Sequence, residues 1–173
     1  NPDVAQVLVV DDDPNTKYLL ETFCLQRSDL SLQFAYNGQE ALALMDEAPV
    51  DAVITDLRMP IMDGEELLLH LRKASPSLPV LIMTSYGSIE DAVDYLQKGA
   101  DDYLSKPLTR DAFLHRIDRV IERLNLANEV EILRKRVDGK SQKNLIARSP
   151  AMSRVMNRIP TIAQTEASVV IYG

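Results

Sequence analysis

Residues 7–14 read Val7-Leu8-Val9-Val10-Asp11-Asp12-Asp13-Pro14: four consecutive apolar residues, β-branched except for one leucine, running straight into three carboxylates and a proline. An uninterrupted apolar run of this length fits a strand buried on both faces of a sheet, where the alternation of a half-exposed strand is absent. The acids that follow then stand at the carboxyl end of that strand. Pro14 opens a helix, because its fixed φ suits the first helical position and its missing N–H costs nothing there.

The same rhythm repeats outward. Apolar runs at Val7–Val10, Leu32–Ala35, Ala52–Thr55, Val80–Thr84 and Asp102–Leu104 alternate with helical patterns at Pro14–Gln26, Gln39–Glu47, Gly64–Lys73 and Ile89–Gln97. In the first helix Tyr18, Leu19, Thr22, Phe23 and Gln26 mark the expected inward side. Strands joined by right-handed crossovers give an α/β, doubly wound, five-stranded parallel sheet of flavodoxin-like order 2-1-3-4-5. In such a sheet the functional crevice lies at the carboxyl ends of the strands.

After Pro107 one helical stretch, Thr109 to about Val137, outruns the needs of a small domain. Phe113, Ile117, Val120, Ile121 and Leu124 can cover the sheet. Leu126, Val130, Leu133 and Val137 then continue at spacings of four, three and four, a coiled-coil-like seam under two heptads long, for which a solvated helix is the plain alternative. Asp138–Asn144 reads as a polar linker. Beyond it, Pro150–Ile159 reads as a short helix and Ser168–Tyr172 as a strand. The expected division is therefore 1–125, 126–144 and 145–173.

Composition narrows the function. Of 173 residues, 46% are hydrophobic and 26% charged, ordinary for a soluble globular protein, and no apolar run approaches a membrane span. A cytoplasmic protein without membrane partners is expected. The net charge of −7 argues against a duplex-binding surface. The lone Cys24 excludes an intramolecular disulfide or multi-cysteine metal site and reads as a small buried helix residue.

Three acids at one strand end repel one another unless a cation lies among them. Asp13 is accounted for as the N-cap before Pro14. Asp11 and Asp12 are not, and Asp56, at the end of the adjacent third strand, converges on them. Hard oxygen donors with no His or Cys beside them suit Mg²⁺. The fourth strand brings Thr84 and Ser85 to the same edge, and the fifth brings Lys106, which a cis bond to Pro107 would aim inward. A carboxylate nucleophile, a metal, an ammonium and a hydroxyl are the parts of a phosphoryl-transfer site, with Asp56 the best nucleophile and Asp11 and Asp12 the metal pair. Met59, Met62 and Met83 near this site read as packing, and His70 and His115 as surface residues.

Four motifs, VLVVDDDP (7–14), DLRMPIMDG (56–64), MTSYG (83–87) and YLSKPL (103–108), together resemble the response-regulator receivers of bacterial two-component signalling. The resemblance implies Asp11 and Asp12 as Mg²⁺ acids, Asp56 as phosphoacceptor, and the Arg58 carbonyl as a further metal ligand. It implies Thr84 as the phosphoryl-sensing hydroxyl, Tyr103 as the rotating switch aromatic and Lys106 as the phosphate-binding lysine, with a sensor histidine kinase as donor. Arg58, Ser85 and Tyr86 are expected to flank the phosphoryl group. Ile61 departs from the family, in which many members carry glycine there. Residues 146–173, IARSPAMSRVMNRIPTIAQTEASVVIYG, resemble the opening of the AAA+ ATPase domain of nitrogen-regulator-type sigma-54 activators, with Gly173 as the first glycine of a Walker A loop. A regulatory fragment is thus expected. It would not itself be an enzyme beyond its own phosphorylation chemistry, would dimerise through the fifth helix and linker, and would reach sigma-54 RNA polymerase and DNA only through further domains.

Two other functions fit the same sheet. A phosphatase-like hydrolase with an aspartyl-phosphate intermediate needs an acid two residues after its nucleophile, where this chain has Arg58. A flavin-binding module would set its phosphate against clustered acids, which repel it.

Overall fold

The computed structural model describes residues 4–85 and 89–143. Ten elements alternate: β1 (Ala5–Val10), α1 (Pro14–Phe23), β2 (Leu30–Ala35), α2 (Gly38–Glu47), β3 (Ala52–Asp56), α3 (Gly64–Ala74), β4 (Val80–Thr84), α4 (Ile89–Gln97), β5 (Asp102–Ser105) and α5 (Arg110–Lys143). The strands form one parallel sheet in the order β2-β1-β3-β4-β5, as the apolar runs imply.

Alternate residues of each strand feed two cores. Val7, Val9, Ile54, Leu81 and Met83 face one side with Leu20 of α1 and Phe113, Ile117 and Val120 of α5. Leu8, Val10, Val53, Val80 and Ile82 face the other with Ala41 of α2 and Leu67, Leu68 and Leu71 of α3. Each such fully buried aliphatic side chain is worth about 1.5–3 kcal/mol, which is why the apolar runs are continuous.

Helix starts follow capping chemistry. Asp13 caps α1, accepting from the Asn15 N–H, with Pro14 opening the helix as expected. Asn37 caps α2, and Asp63 with Glu66 forms a reciprocal capping box on α3.

The structure corrects the reading of α1. Its buried residues are Thr16 and Leu20, and Phe23 packs on the core, whereas Tyr18, Leu19, Thr22 and Gln26 are exposed. The apolar count misled because Thr16 is buried to make a hydrogen bond. The helix also stops at Phe23 rather than Gln26, so Cys24 is a half-buried C-cap and not a helix-interior residue.

By contacts the chain divides into 1–126 and 127–173. Helix α5 continues through Gly139 to Lys143, where a polar linker from Asp138 was expected. One glycine costs a helix only about 1 kcal/mol, and its neighbours Lys140, Gln142 and Lys143 are good helix formers. Leu126, Val130 and Leu133 are exposed, as is Ile132, which the seam pattern did not include. The side chain of Val137 and the expected helix and strand within 145–173 lie outside the described residues.

Candidate functional site

Sheet register sets the site. Val10 lies beside Thr55, so Asp11 emerges next to Asp56, the last residue of β3, which pairs with Met83. Thr84 pairs with Ser105, delivering Lys106 one residue later. The Lys106–Pro107 bond is cis, as expected.

Asp11, Asp12 and Asp56 each offer a carboxylate oxygen within 4.8 Å of the others. Asp11 and Asp56 are buried and Asp12 is exposed. The Lys106 ammonium bridges the buried pair, 2.8 Å from Asp11 Oδ2 and 2.7 Å from Asp56 Oδ1. Burial pulls that ammonium down, and its hydrogen bonds to Asp11 and Asp56 outweigh this, leaving it above the usual lysine value. Burial raises the Asp56 carboxyl above the usual carboxylate value even though Lys106 and the Arg58 N–H oppose the shift. A cation already stands between two carboxylates, and every donor is a hard oxygen, so the donor set fits Mg²⁺.

The remaining groups hold the acids in place. The Arg58 N–H donates to Asp56 Oδ2 at 2.9 Å, and the Asp13 N–H donates to Asp11 Oδ1 at 2.9 Å. The Thr16 hydroxyl, buried in the first turn of α1, donates to Asp11 Oδ2 at 2.7 Å. Gly64 lets the β3–α3 loop press against the Asp56 backbone, since a Cβ there would sit 2.1 Å from the Asp56 carbonyl oxygen.

A cleft of about 290 Å³ opens beside Asp56, lined by Leu57, Arg58, Asp63, Glu65, Thr84, Ser85 and Tyr95. Asp56, Arg58, Thr84 and Ser85 are thus brought together as expected, while Tyr86 lies outside the described residues. Tyr103 is on β5, half-buried against the second core and beside Ile82. Met59 and Met62 pack on that core, Met83 is buried in the other, and His70 and His115 are exposed, all as read. Sequence reasoning missed Thr16, Glu65 and Tyr95. Glu65 and Tyr95 carry no signal beyond helical position, but a hydroxyl five residues after the first acid is one that a model of α1 could have flagged.

The chain matches the response regulator receiver domain family over residues 7–118. It belongs to that family. The receiver is 37% identical to the transcriptional regulatory protein GlrR of Escherichia coli over 169 residues, 98% of this chain and 36% of that protein. It is also 37% identical to ZraR of Salmonella typhimurium, covering 96% of this chain and 37% of that one. The receiver therefore spans little more than a third of the curated relatives it matches. Among solved structures, the Francisella response regulator 1452 receiver domain superposes with TM-score 0.65 at 33% identity, covering 69% of this chain and 98% of that one. NtrX from Brucella abortus superposes with TM-score 0.70 at 30% identity, covering 92% of this chain and 35% of that one. Among the described residues, no helix of the receiver is long and apolar enough to cross a membrane.

Proposed function

We propose that the chain is the phosphorylation-switched regulatory part of a cytoplasmic sigma-54-dependent transcription activator, and that Asp56 is the phosphoacceptor. The observation that carries this is the buried Asp56 carboxylate, within reach of Asp11, Asp12 and Lys106 at one sheet edge. Asp11, Asp12, Asp56 and the Arg58 carbonyl would hold a Mg²⁺ ion, which would neutralise charge on the transferring phosphoryl group.

The chain's own groups do the rest. An Asp56 oxygen attacks phosphorus in line, the bond from phosphorus to the donor breaks, and its electron pair leaves with the donor, which is the phosphohistidine of a sensor kinase or a small acyl phosphate. Lys106 keeps its proton throughout and balances charge on the equatorial oxygens. The Thr84 hydroxyl then hydrogen-bonds the new acyl phosphate, and Tyr103 turns inward on β5, reshaping the face formed by α4, β5 and α5. Arg58 and Ser85 flank the phosphoryl group and set its exposure to water. Supporting the transcriptional role are the relatives that match nearly the whole chain and bear the name transcriptional regulatory protein. Residues 145–173 are read as the start of the AAA+ domain, and sigma-54 RNA polymerase and DNA are partners of domains further on.

Acetyl phosphate with Mg²⁺ is expected to add one phosphoryl group, read by intact mass. Asp56→Asn should add none, and Asp12→Ala should fail for want of metal. An Asp56→Asn protein that gained the same mass in the same yield would overturn the assignment.

A further inference from the structure

A carboxylate offers about four lone-pair sites. Asp11 has three of them engaged: Oδ1 accepts from the Asp13 N–H, and Oδ2 accepts from both the Thr16 hydroxyl at 2.7 Å and Lys106 at 2.8 Å. Oδ2 is thereby an anchored oxygen. The remaining lone pair belongs to Oδ1.

Thr16 is buried in the first turn of α1, where no helical carbonyl lies four residues back to accept from its hydroxyl. Here the hydroxyl reaches instead across the strand-to-helix turn to the side chain of Asp11. Its partner is the acid most deeply set in the cluster, and Lys106 on the same oxygen completes the anchor.

We propose that Thr16 is a positioning residue for the metal site: its hydroxyl fixes Asp11 so that the carboxylate presents Oδ1 alone to a divalent cation. The inference rests on reading the acid cluster as a Mg²⁺ site. Outer groups that orient ligands commonly change metal affinity 10–100-fold when removed. Thr16→Val keeps the shape and methyl group but deletes the donor, so Asp11 gains rotational freedom and its Oδ2 is held by Lys106 alone. Thr16→Ser keeps the donor and deletes the methyl group.

The test is calorimetric titration of the full chain with Mg²⁺ alone, beside urea unfolding in chelator to follow the fold. Thr16→Val is expected to bind Mg²⁺ about tenfold more weakly than the parent, and Thr16→Ser within about twofold of it. Thr16→Ala reads the same loss in a smaller side chain should the valine variant not fold. Asp12→Ala separates the two readings. If the parent binds and Asp12→Ala does not, while Thr16→Val matches the parent, the positioning role is overturned and the metal site stands. If the parent shows no Mg²⁺ binding that Asp12→Ala abolishes, the site itself is overturned. If Thr16→Ser loses as much as Thr16→Val, the methyl group and not the hydroxyl matters, and the proposal fails.

Discussion

Asp56 is buried among carboxylates at the sheet edge, and its raised pKa turns that cost into a measurable pH dependence. A carboxyl whose folded pKa exceeds its unfolded value stabilises the fold below the unfolded value, about pH 4, and that stability is lost as pH rises through the folded value. In metal-free buffer the protein should therefore lose stability from about pH 4 upward through this group. Asp56→Asn removes the titration, so at neutral pH it should unfold at higher urea than the parent, with the gap closing toward pH 4. An equal gap at all pH values would show that packing, not ionisation, sets it. Ile61 carries a different cost. Its φ of 71° lies in the left-handed region, where a β-branched residue is strained by about 1–2 kcal/mol, and with 75% of its surface exposed it gains little from burial. Ile61→Gly relieves the strain and adds unfolded-state entropy worth somewhat under 1 kcal/mol, so a net gain of about 0.5–1 kcal/mol is expected in urea midpoint at unchanged slope. The departure at position 61 was legible in the sequence, but its positive φ was not, since turn geometry depends on the loop's closure against Gly38 and Gly64.

At the scale of elements, the strands were legible because a sheet buried on both faces leaves unbroken apolar runs. All five lie where those runs are, with ends moved by at most two residues. The convergence of Asp11, Asp56, Thr84 and Lys106 was legible for the same reason, since strand ends and sheet order place them without any knowledge of side-chain geometry. The face of α1 was not, because Thr16 is inward for a polar contact that an apolar count cannot see. Arg72 shows the same limit. In sequence it is a basic residue in the last turn of α3, yet its guanidinium donates to the carbonyls of Gly99 at 2.6 Å and Leu78 at 2.7 Å and to Asp101 at 2.8 Å. It ties the end of α3 to the entrance of β4 and to the α4–β5 turn, where Gly99 has a φ of 105° and Arg72 packs against it. Asp101 also accepts from the Val80 N–H and pairs with Arg123 of α5. Arg72→Met keeps the aliphatic stem and removes the donors, and should cost about 2–3 kcal/mol in urea unfolding, since hydrogen bonds from a charged donor are worth about 1.5–3 kcal/mol and the carbonyls are left partly unpaired. A loss under about 0.5 kcal/mol would mean that the turn is held by its backbone alone.

For the whole molecule, the decisive feature is the contrast along α5. Phe113, Ile117 and Val120 are buried on the sheet, whereas Leu126, Val130, Ile132 and Leu133 are each about half exposed or more. Leu126, Val130 and Leu133 follow coiled-coil spacing, and a Glu131–Lys135 ion pair lies beside them on the same helix. A seam this short is weak alone, since two chains must first repay several kcal/mol of lost translational and rotational freedom, while each buried leucine returns about 1.5–3 kcal/mol. In the homodimer proposed from this spacing, pairing along the seam together with the outer face of the earlier part of α5 would make up the difference, and a parallel arrangement would match like residues about a two-fold axis. The proposed homodimer should therefore appear in sedimentation at tens of micromolar. A chain ending at Asn125 should sediment as a monomer, and Leu126→Lys with Leu133→Lys should weaken the dimer at least tenfold. Beryllofluoride, as a phosphoryl mimic with Mg²⁺, is expected to shift the dimer constant or the cross-linking register, because the face formed by α4, β5 and α5 adjoins the start of the seam. Reshaping that face should disturb the pairing it adjoins, so the mimic should weaken the dimer. A monomer under every condition would overturn the dimer. A dimer whose constant and cross-links ignored beryllofluoride would leave the seam in place and remove it from the switch.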